Sequence, residues 1–297
     1  MYPKAFGYLC PDTVDEAVAL LSEHGEGARV MSGGQSLIPL MKLRMSSPQY
    51  VIDINRIASL AYITERDGMM HFGGLTRHAD IEDSAAVKSK LSIMHDAASV
   101  IGDVQVRNMG TIGGSLAHAD PAGDWAPTLL ALNAHVTCRS LRGERTLKIG
   151  QLLSDAYTTN LSKDELLTGV SVPLPAEGSG GVYLKFERKA GDFAVVSVAV
   201  QLTLGPGGTC REIGVGLGAV GLTAIRPRNA EGLLHGKKLT DAVIAEAAEE
   251  ASRESDPYAD LRGSVEYKRY LVRVFFARAV KAAMQRARGE ELEPAHG

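Results

Sequence analysis

The 297-residue chain predicts an α+β fold. Three observations carry that reading. Capped helical segments alternate with short strand-like runs up to about Arg56. Hairpin chemistry follows around Asp67-Gly68. Beyond a Pro/Gly-rich stretch, Pro173-Leu174-Pro175-Ala176-Glu177-Gly178-Ser179-Gly180-Gly181, three strand-like runs precede three helical ones. The expected organisation is a first unit over 1–56, a second over 57–173, a linker at 174–180, a third unit over 181–288 and a loose tail at 289–297.

Thr13-Val14-Asp15-Glu16 has capping-box form, and Val14, Ala17, Val18 and Leu21 recur at helical spacing up to a stop at Gly25. Ala28 to Met31 reads as a strand, and a helix runs on toward Arg44 with Pro39 early in it, where a missing N–H costs little. Tyr50 to Ile54 reads as a buried strand. Leu60 to Thr64 and Met69 to Gly73 form the hairpin, Thr76 can cap a helix from Arg77, and a longer helix covers Leu91 to Ile101. His118 to Asp124 is turn-rich, Trp125 to Leu132 a buried helix, and His135 to Arg139 and Glu165 to Val172 strands. The third unit offers strands over Gly181 to Lys189, Ala194 to Leu204 and Glu212 to Ala219. Its helices cover Asn229 to Leu234, Asp241 to Arg253 and Ser264 to Arg286, with an apolar stripe at Tyr267, Leu271, Val274 and Phe275.

Composition narrows the function. A net charge of −3 gives no footprint for nucleic acid or an anionic membrane surface. No apolar run reaches the roughly twenty residues of a membrane span. Cys10, Cys138 and Cys210 are scattered, so this chain does not supply the four thiolates of an iron–sulfur cluster, and a reducing compartment, the cytoplasm, is expected. His71, His78, His95, His118 and His135 lack metal-ligand spacing, and no metal is expected. No G-x-S-x-G supports a serine hydrolase. Gly216-Leu217-Gly218-Ala219-Val220-Gly221 matches G-x-G-x-x-G, but Pro227 comes too soon for the required helix, so these glycines are read as relief of crowding in a strand.

The sharper signal is Ser32-Gly33-Gly34-Gln35-Ser36-Leu37 between a strand and a helix. Glycine admits close backbone approach, and a helix N-terminus offers unpaired N–H groups to an anion. An echo follows about eighty residues later at Thr111-Ile112-Gly113-Gly114-Ser115. Each loop alone is weak, because most Gly-Gly pairs are plain turns. Two such loops can clamp the two phosphates of one dinucleotide.

Both loops, their spacing and Tyr183-Leu184-Lys185-Phe186-Glu187-Arg188-Lys189 resemble the FAD-binding medium subunit of molybdenum-containing hydroxylases, the carbon monoxide dehydrogenase medium chains nearest among them and xanthine dehydrogenase more distantly. The resemblance covers nearly the whole chain. It implies a two-part FAD-binding domain of the vanillyl-alcohol-oxidase or PCMH-like type, followed by a C-terminal antiparallel sheet with helices. By position it implies that Val30, Met31, Ser32, Gly33, Gly34, Gln35, Ser36 and Leu37 wrap the pyrophosphate and ribityl chain. Thr111, Ile112, Gly113, Gly114 and Ser115 hold its other side. Asp124 accepts bonds from FAD hydroxyls, Leu167 lies beside the adenine or the flavin, and Lys185 approaches flavin or phosphate. Ile101 packs near the ring, and Phe193 is either a shield for that ring or core.

Some relatives carry His where this chain has Gln35, so a histidyl–flavin bond at that position is impossible and FAD is expected to be non-covalent. No catalytic acid/base pair stands out, which suits a subunit whose cofactor carries the chemistry. The resemblance implies an oxidoreductase subunit. It takes electrons from 2Fe-2S clusters on a small partner subunit beside a molybdopterin-binding large subunit. It passes them to NAD, a quinone or oxygen. The rivals are a stand-alone flavin oxidase or reductase of the same fold, and a nucleotide-binding sensor that transfers no electrons.

Overall fold

A computed structural model describes residues 2–290. The chain opens with β1 (Gly7–Leu9), α1 (Val14–His24), β2 (Ala28–Met31), α2 (Leu37–Lys42) and β3 (Tyr50–Asp53). Thr13 caps α1 by accepting the Glu16 N–H at 3.2 Å, and the Glu16 carboxylate reaches back to the Asp12 N–H at 2.8 Å, one residue before the expected partner. The three strands form a parallel sheet in the order β1-β3-β2, with Ala17, Val18 and Leu21 of α1 buried against it. The loops after β2 and β3 therefore leave the same edge of the sheet, at the carboxyl ends of parallel strands, where ligands of such sheets gather.

The hairpin β4 (Ile63–Arg66) and β5 (Met69–Gly73) turns at Asp67 and Gly68, both with positive φ. Four short helices follow: α3 (His78–Asp83), α4 (Ala85–Lys90), α5 (Ser92–Ser99) and α6 (Val104–Met109). Thr76 does not cap α3. It is buried and donates its hydroxyl to Tyr62 O, while the Asp80 carboxylate accepts the Arg77 N–H. Then come α7 (Ile112–His118), α8 (Trp125–Ala131), β6 (His135–Ser140), β7 (Gly143–Lys148), α9 (Ile149–Leu152), the small pair β8 (Leu153–Asp155) and β9 (Thr158–Thr159), and β10 (Leu166–Pro173). The middle sheet is antiparallel, in the order β4-β5-β10-β6-β7, so the late strand β10 closes it down the centre.

The end of the chain is the meander β11 (Ser179–Phe186), β12 (Val196–Leu204) and β13 (Cys210–Gly218), then α10 (Arg228–Leu234), α11 (Asp241–Glu254) and α12 (Val265–Ala287). Strand β11 starts inside the stretch expected as linker, because Ser179 and Gly180 already pair with Thr203 and Leu202. The buried stripe of α12 differs from the expected one. Lys268, Leu271, Val272, Phe276, Ala279 and Val280 face the core, and Tyr267 is exposed. Lys268 hides in that stripe because Asp260 Oδ2 and Tyr258 O take its ammonium at 2.8 and 3.0 Å. The expected tail reaches into residues 291–297, which lie outside the described residues.

Two of the three glycines of the rejected dinucleotide fingerprint, Gly216 and Gly218, sit in β13, and Gly221 lies just past it. A methyl on Gly216 would fall 1.9 Å from Pro127 O, and one on Gly214 2.0 Å from Ala131 O. The carbonyls of α8 press directly onto the strand there. On the other face Gly180 meets the backbone of α12 in the same way. The third sheet is thus covered on one side by helices of the preceding region and on the other by its own, which is why β12 is buried along almost its whole length.

Candidate functional site

Strand β2 ends at Met31 and α2 begins at Leu37, and the chain between them passes the end of β3 without joining the ladder. Gly34 has φ of 72°, a left-handed value that a residue with Cβ reaches only at a cost. Among the described residues, the N–H groups of Ser32 through Leu37 have no intramolecular acceptor. Ser36 provides no side-chain cap for α2 either. Such a run of free donors stays solvated or takes an anion.

The second glycine loop lies against the first. Ser32 Oγ and Thr111 Oγ1 are 3.0 Å apart. Thr111 is the N-cap of α7, its hydroxyl oxygen accepting the Gly114 N–H at 3.0 Å. The donors from Ile112 to Ser115 are spent. Ile112 N–H goes to Thr76 O, Gly113 N–H to Gly74 O, and Ser115 N–H to Thr111 O. The first loop has a run of open donors, and the second keeps only the Thr111 N–H free and closes around the first. The glycines serve that closure. A methyl on Gly33 would fall 2.2 Å from Met109 O, on Gly113 2.5 Å from Gly74 O, and on Gly114 2.5 Å from Ser32 Oγ.

The two loops line one cleft of about 580 Å³, within the usual range of small-molecule sites. Its walls bring together Val30, Met31, Ser32, Gly33, Gly34, Gln35, Ser36 and Leu37, then Ile101, Thr111, Gly113, Gly114 and Ser115, and finally Asp124, Leu167, Lys185 and Phe193. Of the sequence-derived set, Ile112 stands apart. Its side chain is fully buried in the central core, because the first turn of a helix that packs on β10 turns every fourth residue inward. Asp120 lines the cleft too but closes its own turn, accepting the Ala122 N–H at 2.9 Å.

One wall is a buried charge cluster. Lys185 Nζ lies 3.3 Å from both Asp124 Oδ1 and Glu187 Oε2, and donates to Val100 O at 3.0 Å. Tyr183 donates its hydroxyl to Asp124 Oδ1 at 2.5 Å. Burial pushes the Asp124 carboxyl up, and the Lys185 charge and the Tyr183 bond only partly offset it. Burial and the facing carboxylate push the Tyr183 phenol well up, so it stays a donor.

A second network braces the first loop. Asn55 Nδ2 donates to Ser32 O at 2.7 Å and to Asp53 Oδ1 at 2.6 Å, and Tyr8 donates to Asp53 Oδ2 at 2.7 Å. Arg77 joins Asn55 Oδ1 at 2.6 Å to Met109 O, so one guanidinium ties both loops. Burial raises the Asp53 carboxyl, but bonds from Asn55 and Tyr8 and the Arg77 charge outweigh it and hold it below the usual range. Sequence reasoning missed Asp53, Asn55, Arg77, His78 and Tyr183. Only Asp53 and Asn55 carried a signal: polar residues just after a buried parallel strand. No group of ligating side chains suited to a metal occurs among the described residues.

Residues 4–175 match the family described as FAD binding domain in molybdopterin dehydrogenase, and residues 181–283 match CO dehydrogenase flavoprotein C-terminal domain. The chain is 40% identical over 288 residues to the 6-hydroxypseudooxynicotine dehydrogenase complex subunit alpha of Paenarthrobacter nicotinovorans, covering 97% of each. It is 41% identical over 281 residues to the glyceraldehyde dehydrogenase medium chain of Sulfolobus acidocaldarius, covering 95% of this chain and 99% of that one. A solved structure of carbon monoxide dehydrogenase from Hydrogenophaga pseudoflava superposes with a TM-score of 0.94 at 39% identity, covering 96% of this chain and 99% of that one. Two matched regions and relatives of full length show that the chain belongs to the family of FAD-binding medium subunits of molybdenum-containing hydroxylases, oxidoreductase flavoproteins.

Proposed function

We propose that the cleft holds FAD non-covalently and that the chain works as the electron-transferring subunit of a heteromeric molybdenum hydroxylase. The observation that carries this is the run of unpartnered N–H groups from Ser32 to Leu37, closed over by the Thr111 loop. That run fits a diphosphate, whose oxygens need several donors at once and whose charge suits a helix N-terminus. Val30 and Met31 form the strand wall of the cradle, and the hydroxyls of Thr111 and Ser115 border it with Gly113 and Gly114. Asp124 accepts from the sugar or ribityl hydroxyls, its other oxygen being held by Tyr183 and Lys185. Leu167 offers backbone at the adenine or ring end. Ile101 and the half-exposed Phe193 flank the ring, and Lys185 sets a fixed positive charge in the wall. Gln35 forms no histidyl link and instead donates to Gly33 O, shaping the loop.

Bound FAD supplies a two-electron store between the single-electron 2Fe-2S clusters of a small subunit and an external acceptor, NAD, a quinone or oxygen. Substrate oxidation belongs to a molybdopterin-binding large subunit. This chain's part is to fix the cofactor, keep one edge reachable and exclude water from the charged wall. No described helix is long and apolar enough to cross a membrane. From the free thiols Cys10, Cys138 and Cys210, which suit a reducing compartment, we infer that the complex works in the cytoplasm. The test is to purify the chain with its co-expressed partners and record the flavin spectrum before and after adding reduced substrate. A yellow complex that bleaches is expected. A colourless complex that takes up no FAD ends the proposal, and turnover by the chain alone would favour a stand-alone flavin enzyme.

A further inference from the structure

We propose that His78 is a further cofactor-binding residue, donating Nε2–H to a diphosphate oxygen; this rests on the flavin reading above. His78 is the first residue of α3 and is only 4% exposed, yet it lines the cleft. Its backbone N–H is held by Gly110 O at 3.1 Å. Its ring is held from behind: Trp125 Nε1–H donates to Nδ1 at 3.0 Å. An indole N–H only donates, so Nδ1 carries no proton and the neutral ring carries its proton on Nε2. Burial, with the charges of Arg77 and Arg107, pushes the ring down to about 4 and keeps it neutral near pH 7.

Among the described residues, Nε2 has no partner. His71 Nε2 and His135 Nδ1 are also unpartnered, but they are sealed from solvent; His78 Nε2 is not among the sealed atoms. An otherwise buried ring, fixed from behind and left with one N–H open to the cleft, presents that donor to whatever the cleft binds. Its position says which part of the ligand. A methyl on Gly110 would fall 2.7 Å from Nε2, and Gly110 Cα itself lies 2.7 Å from where a methyl on Gly33 would sit. Gly110 thus touches both the free nitrogen and Gly33, and all three line the one cleft, so Nε2–H faces the cavity that holds the N–H cradle of the first loop. Gly110 has an ordinary φ, and its missing side chain leaves room both for that nitrogen and for Val106 O, which a methyl would meet at 2.9 Å.

The test uses the holocomplex stripped of flavin, titrated with FAD, with ADP as the diphosphate-bearing fragment and with riboflavin as the ring fragment. His78→Phe is expected to weaken FAD and ADP by about ten- to a hundredfold, the range of a hydrogen bond to a charged group, and to leave riboflavin unchanged. His78→Gln is expected to recover most of the loss, since its amide can accept from Trp125 and donate into the cleft. Should the Phe variant not assemble, His78→Leu decides, being close to the imidazole in volume and unable to donate; the same split between ADP and riboflavin is expected. Unchanged FAD affinity, a loss confined to riboflavin, or equal losses for both fragments overturns the assignment. If the wild-type complex takes up no FAD, the flavin reading fails before any variant is compared.

Discussion

Ser32 Oγ and Thr111 Oγ1 stand 3.0 Å apart across 79 residues of chain, and through that contact the two glycine loops become one structure. Thr111 also caps α7, so one hydroxyl both starts a helix and holds the neighbouring loop. Thr111→Val loses the cap and the inter-loop bond together. The expected cost is about 1–2 kcal/mol in urea unfolding, with weaker flavin retention on gel filtration. Ser32→Ala, which keeps the cap, is expected to cost less; equal costs would show that the cap is not the larger part.

Gly33 and Gly34 are glycine for different reasons. At 33 a methyl meets the Met109 carbonyl, and at 34 the backbone is left-handed. Gly33→Ala forces the two loops apart and is expected to destabilise by about 1–3 kcal/mol and to yield a flavin-poor complex. Gly34→Asn, a residue that tolerates positive φ, is expected to retain far more flavin than Gly34→Val. A flavin-to-protein absorbance ratio at or above wild type for Gly33→Ala would refute the close-packing account.

Lys185 is the cation facing Asp124 and Glu187 in the wall. Replacing it by Met leaves the buried Asp124 and the partly buried Glu187 without their cation, and removing one partner of a buried pair costs about 3–5 kcal/mol. Burial already raises the Asp124 carboxyl and Lys185 opposes that rise, so the variant raises it further. The loss is therefore expected to shrink at mildly acidic pH, where Asp124 takes up its proton. Denaturant midpoints for wild type and Lys185→Met at pH 7.5 and 5.5 check this; parallel shifts would refute it.

The His78 ring titrates near 4 when folded, against 6.5 when exposed. Between those values the unfolded chain binds a proton that the folded chain refuses. The stability this group lends is whole above about pH 6.5, falls as pH drops toward 4, and is gone below it. Its size is about 3 kcal/mol at most. Measured on flavin-free complex, His78→Gln is expected to flatten the fall in unfolding free energy across that window. An unchanged slope would mean the ring protonates freely in the fold.

The capped helix after Thr13, the Asp67-Gly68 turn, the meander beyond Pro175 and the paired glycine loops all follow from short-range chemistry. Caps, turn residues and periodicity act over a few neighbours, so the chain order displays them. The same holds for excluding the Gly216 segment as a nucleotide loop, since Pro227 alone rules out the helix. From the two loops and the Tyr183 to Lys189 segment, the family itself was legible.

What the order of residues left open is how the loops share the work. That Gly33 and Gly114 receive the opposite loop, that the donors from Ile112 to Ser115 are already spent, and that Ile112 faces the core depend on which distant backbone arrives beside each. The roles of Asn55, Arg77 and His78 have the same origin. Their bonds join segments remote in sequence, and a hydrogen bond at 3 Å is set by the packing of whole elements, which no local pattern encodes.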